Sequence, residues 1–143
     1  MGLDQELAGL LVVSMEQAVA APYCGLMLAD AGARVIKVER KEGDFARGYD
    51  RGASGNSVFF SWLNRGKESV TLDLNIDADE ALLRSMLKEA DVFLHNLAPG
   101  SLARRGFGGD ALREHNPGLI TCAVSYTHLR AHETREDLVC RLL

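Results

Sequence analysis

No hydrophobic run in the chain approaches the roughly 18–20 residues that a membrane helix needs. Met1–Glu6 carries two acids, Asp4 and Glu6, and no basic stretch, so neither a membrane span nor a signal peptide is expected and the expected location is the cytoplasm. Cysteine is scarce: Cys24, Cys122 and Cys140 are an odd number with no short spacing, which argues against a disulfide framework and a zinc site. Cys24 and Cys122 read as core filler. The four histidines show no metal-ligand spacing and no H-E-x-x-H occurs, so no metal is expected. Also missing are a G-x-G-x-x-G after the first strand, a G-x-x-x-x-G-K-[ST] loop and a G-x-S-x-G elbow. An excess of basic charge is lacking too: the net charge is −4, which makes nucleic acid a poor partner.

What is present is an alternation of short apolar runs and helical patterns. With 143 residues, 47% of them hydrophobic, the chain has the size and apolar content of one packed domain. Leu10-Leu11-Val12-Val13 suits a strand buried on both faces. It leads through Ser14-Met15-Glu16-Gln17 to a helix expected to hold Pro22 at its first position and to close on Gly32 in a left-handed cap. Val35-Ile36-Lys37-Val38 is the next strand, and residues 43–57, with Gly43, Gly48, Gly52 and Gly55, read as a long loop. Phe59, Phe60, Trp62 and Leu63 form a short aromatic segment expected in the core, after which Ser69-Val70-Thr71-Leu72 resumes as a strand. Residues 77–90 give the clearest helix, with Asp77 placed to cap it, Glu80 in capping-box position, and Leu82, Leu83, Met86, Leu87 and Ala90 on one face. Val92-Phe93-Leu94, short helices near Leu102–Arg105 and Asp110–His115, and a strand over Leu119–Val124 complete the pattern.

This spacing predicts an α/β fold: a largely parallel, Rossmann-like sheet with helices on both faces and ligand groups at the carboxyl ends of the strands. The loops that fall there are Ser14–Ala21, Glu39–Gly55, Asp73–Asp77 and His95–Gly100. Between Arg34 and Lys67 the basic residues (Arg34, Lys37, Arg40, Lys41, Arg47, Arg51, Arg65, Lys67) outnumber the acids (Glu39, Glu42, Asp44, Asp50) by eight to four. Charge alone fits either a solvated loop or a phosphate-binding surface.

The ordered segments Ala21-Pro22-Tyr23, Leu28-Ala29-Asp30-Ala31-Gly32-Ala33, Val35-Ile36-Lys37-Val38-Glu39, Gly43-Asp44, Asn64-Arg65-Gly66-Lys67, Leu72-Asp73-Leu74, Ala90-Asp91-Val92, Asn96, Pro99-Gly100 and Asn116-Pro117 resemble the class III (CaiB/BaiF-type) CoA-transferases. That family includes formyl-CoA transferases, carnitine CoA-transferases and α-methylacyl-CoA racemases. The resemblance spans Leu7–Ser125 and implies the N-terminal part of a larger CoA-binding domain. It places Val19 and Ala20 along coenzyme A at the first strand–helix turn and Arg40 at the nucleotide part. Leu72, Asp73, Leu74 and Asn75 would line the cofactor after the third strand, and Asn96, Leu97 and Ala98 after the fourth. Arg104 would be a further phosphate partner. The substrates implied are an acyl-CoA and a carboxylic acid, with no metal. In the transferases an aspartate attacks the thioester, giving a mixed anhydride and then an enzyme thioester from which the acceptor acid takes CoA; racemase members use acid–base groups. Full-length members form interlocked homodimers, and this fragment is expected to self-associate.

The resemblance stops at Ser125. The following YTHLRAHETREDLVCRLL has no glycine and resembles nothing in the family; it reads as a foreign, cloning-derived tail over 126–143, although a helix over Glu133–Leu143 fits by propensity. No aspartate up to Ser125 matches the family nucleophile, and Asp73 and Asp91 fit structural roles at a strand end and a helix end. The fragment alone is therefore expected to be inactive. A non-catalytic nucleotide-binding or interaction module is the other reading.

Overall fold

The computed structural model describes residues 6–52 and 55–124; the tail, Cys140 and the helix expected over Glu133–Leu143 lie outside the described residues. The elements are β1 (Leu11–Met15), α1 (Ala20–Asp30), β2 (Arg34–Glu39), a 3₁₀ turn (Phe45–Gly48), α2 (Val58–Asn64), β3 (Glu68–Thr71), α3 (Asp77–Glu89), β4 (Val92–His95), a second 3₁₀ turn (Ala103–Arg105), α4 (Gly109–Arg113) and β5 (Ile120–Ala123). The five strands form one sheet in the order β3-β2-β1-β4-β5, with every neighbouring pair parallel.

Successive strand residues point to opposite faces, so adjacent valines serve different cores. Val13, Val38 and Phe93 pack with Leu83 and Leu87 of α3 and with Leu102, Phe107 and Leu112. Val12, Val35 and Leu94 pack on the other face with Ala21, Cys24 and Leu28 of α1 and with Cys122. Helices thus cover both faces, which explains why the strands read as apolar runs rather than as alternations. Gly32, at φ +97°, makes the sharp turn from α1 into β2.

The chain lays β2 and β3 outward on one side of β1 and then returns to place β4 on the other. Beside β1 the strand order therefore reverses, and at such a switch point the loops leaving neighbouring strands diverge and open a crevice at their carboxyl ends.

Several local expectations change. Pro22 is the third residue of α1, after Ala20 and Ala21, still in the first turn where no N–H is needed. Ile76, not Asp77, precedes α3, and the capping box does not form: the Asp79 carboxylate accepts from the Asp73 N–H at 2.8 Å and Glu80 pairs with Arg84 at 2.7 Å. Leu82 is exposed, while Leu83 and Leu87 face the core. The aromatic segment is helical, and of it only Leu63 is fully buried. Phe59 and Phe60 are half-buried and Trp62 is exposed; Phe59 and Trp62 continue a row of rings, Phe45–Tyr49–Phe59–Trp62–Tyr23, with centroids 5.6–6.1 Å apart, on a helix that packs on α1.

Asp91 ties three strands at their amino ends. Its Oδ2 accepts from the Leu11 N–H at 2.8 Å, its own N–H donates to the Leu11 carbonyl at 2.9 Å, and its carbonyl accepts from Ile120 at 2.9 Å. Asp91→Ala should lower stability by about 1–2 kcal/mol in urea titration, whereas Asp91→Asn, which keeps an acceptor oxygen, should lose less. Equal losses in the two variants would show that the side-chain acceptor contributes nothing.

Candidate functional site

Lys37 points out of the middle of β2 into the protein and is almost wholly buried. A buried ammonium is stable only when paired, and residues from three segments supply partners. Its Nζ donates to Asp44 Oδ2 at 2.8 Å and to Asn64 Oδ1 at 3.0 Å, with Glu16 Oε1 at 3.8 Å. Glu16, just past the end of β1, is in turn hydrogen-bonded by Lys67, whose Nζ also reaches the Pro22 carbonyl at 2.8 Å and Asn64 Oδ1 at 3.1 Å. Next to them Glu39 accepts from Arg47 at 2.8 and 3.1 Å, from Ser69 Oγ at 2.8 Å and from the Asp44 N–H at 3.1 Å.

The charges balance, but their environments differ. Burial pushes the Glu16 carboxyl above the ordinary range despite Lys67 and Lys37, and its Oε2 is buried without a hydrogen-bond partner. Burial likewise pulls the Lys67 ammonium down. Glu39 goes the other way: burial raises it, but donors from Arg47, Ser69 and the Asp44 backbone outweigh burial and hold it below the ordinary carboxylate range. His95, with its Nδ1 buried and unpartnered, is lowered by burial.

This network forms one wall of a cleft of about 270 Å³ lined by Met15, Glu16, Gln17, Val38, Glu39, Arg40, Asp44, Leu74, Leu97 and Arg105. The lining comes from the carboxyl ends of β1 and β2 and from the loops after β3 and β4, which is the switch-point crevice. Two guanidinium side chains, Arg40 and Arg105, stand at its rim. The volume suits one portion of a large ligand, with the rest lying on the surface. A second cleft of about 200 Å³ lies against the last turns of α3 and α4, lined by Arg84, Lys88 and His115 among others. Arg84 there is committed to Glu80 at 2.7 Å and to the Arg105 carbonyl at 2.8 Å, which accounts for it without a ligand.

The residues expected along the cofactor divide into groups. Arg40, Leu74 and Leu97 come together in the cleft. Val19 is exposed as the residue preceding α1, and Ala20 begins the helix. Leu72 is buried in the main core behind the cleft. Asp73 and Asn75 form a turn, with the Asp73 Oδ1 accepting from the Asn75 N–H at 2.9 Å. Asn96 directs its amide at backbone, accepting from the Gln17 N–H at 2.8 Å and donating to the Gln17 carbonyl at 2.7 Å. Ala98 is exposed, its carbonyl taken by Ser101. Arg104 is exposed and outside the cleft lining; its neighbour Arg105 reaches in, donating to the Leu74 carbonyl at 2.6 Å and to Asn75 Oδ1 at 2.7 Å. Sequence reasoning missed Arg105, Glu16, Gln17 and Asp44. The signal for the acids was Lys37, a charge inside an otherwise apolar strand.

Among the described residues no helix is long and apolar enough to cross a membrane, and no group of three or more His, Cys, Asp or Glu is arranged to hold a metal.

The class these elements define is a parallel α/β sheet with a cleft at its switch point, rimmed by Arg40 and Arg105. The profile of CoA-transferase family III matches residues 7–128, and the chain belongs to that family. It is 40% identical over 123 residues to a succinyl-CoA:mesaconate CoA-transferase of Haloarcula hispanica, covering 82% of this chain and 31% of that protein. An acetyl-CoA:oxalate CoA-transferase of Acetobacter aceti is 39% identical over 118 residues, covering 82% of this chain and 30% of its own. Among solved structures, a CaiB/BaiF family protein from Brucella suis superposes with a TM-score of 0.76 at 36% identity, over 84% of this chain and 33% of that one. The chain thus spans about a third of the length of these relatives.

With its folded value below the ordinary 4.5, Glu39 contributes stability that is present above that value and is lost as pH falls through the folded value. Urea midpoints measured from pH 7 down to pH 3 should fall further for wild type than for Glu39→Gln. Parallel curves would contradict the assignment.

Proposed function

We propose that this chain supplies the coenzyme A-binding edge of a CoA-transferase that moves CoA between an acyl-CoA and a carboxylic acid. The observation that carries the reading is the cleft at the strand-order reversal, where Arg40 from the β2 loop, Leu74 from the β3 loop, Leu97 from the β4 loop and Arg105 meet the end of β1. Coenzyme A carries phosphates suited to guanidinium forks and an extended arm that can run along a sheet edge. The named relatives act as CoA-transferases on succinyl-CoA and mesaconate, or acetyl-CoA and oxalate, and this supports a carboxylic acid as the acceptor.

The chemistry we assign to the whole enzyme passes through an aspartyl intermediate. A carboxylate oxygen attacks the thioester carbonyl, the C–S bond breaks, and CoA leaves as thiolate; the thiolate then attacks the aspartyl carbonyl of the anhydride and frees the donor acid. The acceptor carboxylate repeats the exchange in reverse. The cleft residues hold CoA so that remote binding energy serves this step. None of the three carboxylates lining the cleft suits the nucleophile: Glu39 and Asp44 are saturated with donors, and Glu16 is bonded to Lys67 and buried. We therefore assign the nucleophile to a residue outside the described ones and residues 1–125 to the CoA-binding portion.

Isothermal titration of the chain with CoA tests the reading. Arg40→Ala should weaken binding by about 1.5–3 kcal/mol through loss of charge-assisted bonds, and Arg40→Lys should recover part of it. Lys41→Ala, beside it but outside the cleft, should cost little, and that little should vanish with added salt. Equal, salt-sensitive losses at both positions would leave a diffuse basic surface instead. CoA exchange between a thioester and a carboxylate by the 143-residue chain would contradict the assignment of the nucleophile.

A further inference from the structure

Ala18 has φ +64°, the one non-glycine residue with positive φ among the described residues. Alanine has no side-chain group to stabilise that conformation locally, so the left-handed backbone must be imposed from outside. The peptide group between Gln17 and Ala18 is gripped at both ends. Its carbonyl accepts from Asn96 Nδ2 at 2.7 Å, and its N–H donates to Asp44 Oδ1 at 3.2 Å. Asn96 follows β4 and Asp44 follows β2, so the two strands flanking β1 each extend a side chain to one end of a single peptide plane. The orientation of that plane defines φ of Ala18. Asp44 is itself immobilised: its other oxygen takes Lys37 Nζ at 2.8 Å and Oδ1 also accepts from the Ala46 N–H at 2.9 Å. Both Gln17 and Asp44 line the cleft.

We propose that Asp44, with Asn96 opposite it, is a positioning residue of the cleft: its carboxylate holds the Gln17–Ala18 peptide in the orientation that gives the ligand edge its shape. The consequence for ligand rests on the CoA-binding reading above; the consequence for the turn does not. Asp44 does not touch the reacting atoms and acts through the backbone of Ala18.

Removing Asp44 alone leaves the Lys37 ammonium short of a partner and endangers folding, so the test uses Lys37→Met/Asp44→Ala, which removes both charges together. Two measurements are made on wild type, on this pair, and on the pair with Ala18→Gly added. Amide hydrogen exchange should quicken about tenfold or more at Ala18 in the pair while Val13 and Leu94, in the sheet core, stay protected. Unchanged exchange at Ala18 would overturn the proposal. Titration with CoA should show binding weakened about tenfold in the pair. Ala18→Gly, which adopts positive φ without strain, should bring it back to within about threefold of wild type. Weakened binding that Ala18→Gly does not restore would mean that Asp44 acts only through the packing around Lys37, and would also overturn it. If wild type itself fails to bind CoA, the ligand reading falls, and the exchange measurement still decides whether Asp44 holds the turn.

Discussion

The interaction on which the rest of the structure depends is the pairing of the Lys37 ammonium inside the protein. Its position on β2 is fixed by register, with Lys37 opposite Ser14 of β1 on one side and Ser69 of β3 on the other. Left unpaired there, the charge would cost several kcal/mol. The residue after β1, the loop after β2 and the end of α2 are drawn together around it, and Lys67 joins through Glu16. Even a glycine follows from it: a Cβ on Gly25 would lie 2.7 Å from Glu16 Oε2 and 3.1 Å from Lys67 Nζ, so α1 approaches the network only where it has no side chain. An ionic cluster of this kind adds less net stability than its short distances imply, but it permits few alternative arrangements of the loops it joins.

That constraint bears directly on function. Of the segments joined by the cluster, those that follow β1 and β2 line the cleft through Glu16 and Asp44, so this part of the proposed ligand edge is organised before any ligand arrives. The same pairing reinterprets the basic excess between Arg34 and Lys67. Arg34, Lys37, Arg40, Arg47, Arg65 and Lys67 each face a carboxylate within 4.0 Å. The segment is less a field of free positive charge than a set of matched pairs. Arg40 is the one of them on the cleft rim, its Glu42 contact a loose 3.9 Å and more than half of its side chain exposed.

Much of the fold was legible in the residues. Apolar runs such as Val12-Val13 and Val35–Val38 marked strands buried on both faces, and Gly32 marked the helix end, because both follow from local chemistry. The carboxylate of Asp91, at a helix end, serves the backbone of β1. What stayed hidden depended on long-range packing. Whether Asp77 capped a helix was decided by the turn that Asp73 and Asp79 make together. Trp62 is exposed and Phe59 and Phe60 only half-buried because α2 rests on α1, which no period reveals. Arg104 and Arg105 are indistinguishable in sequence, and only the direction of a 3₁₀ turn sends the second into the cleft. The acids around Lys37 come from separate loops, so their convergence needed the sheet.

The proposal that stands or falls first is ligand binding at the switch-point edge beside this cluster. Titrating CoA into the isotopically labelled chain and following amide and side-chain resonances tests it most directly. The largest shifts are expected at Gln17, Ala18, Arg40, Leu74, Leu97 and Arg105. Shifts centred on Arg84, Lys88 and His115 at the opposite cleft, or none at the strand ends, would contradict it.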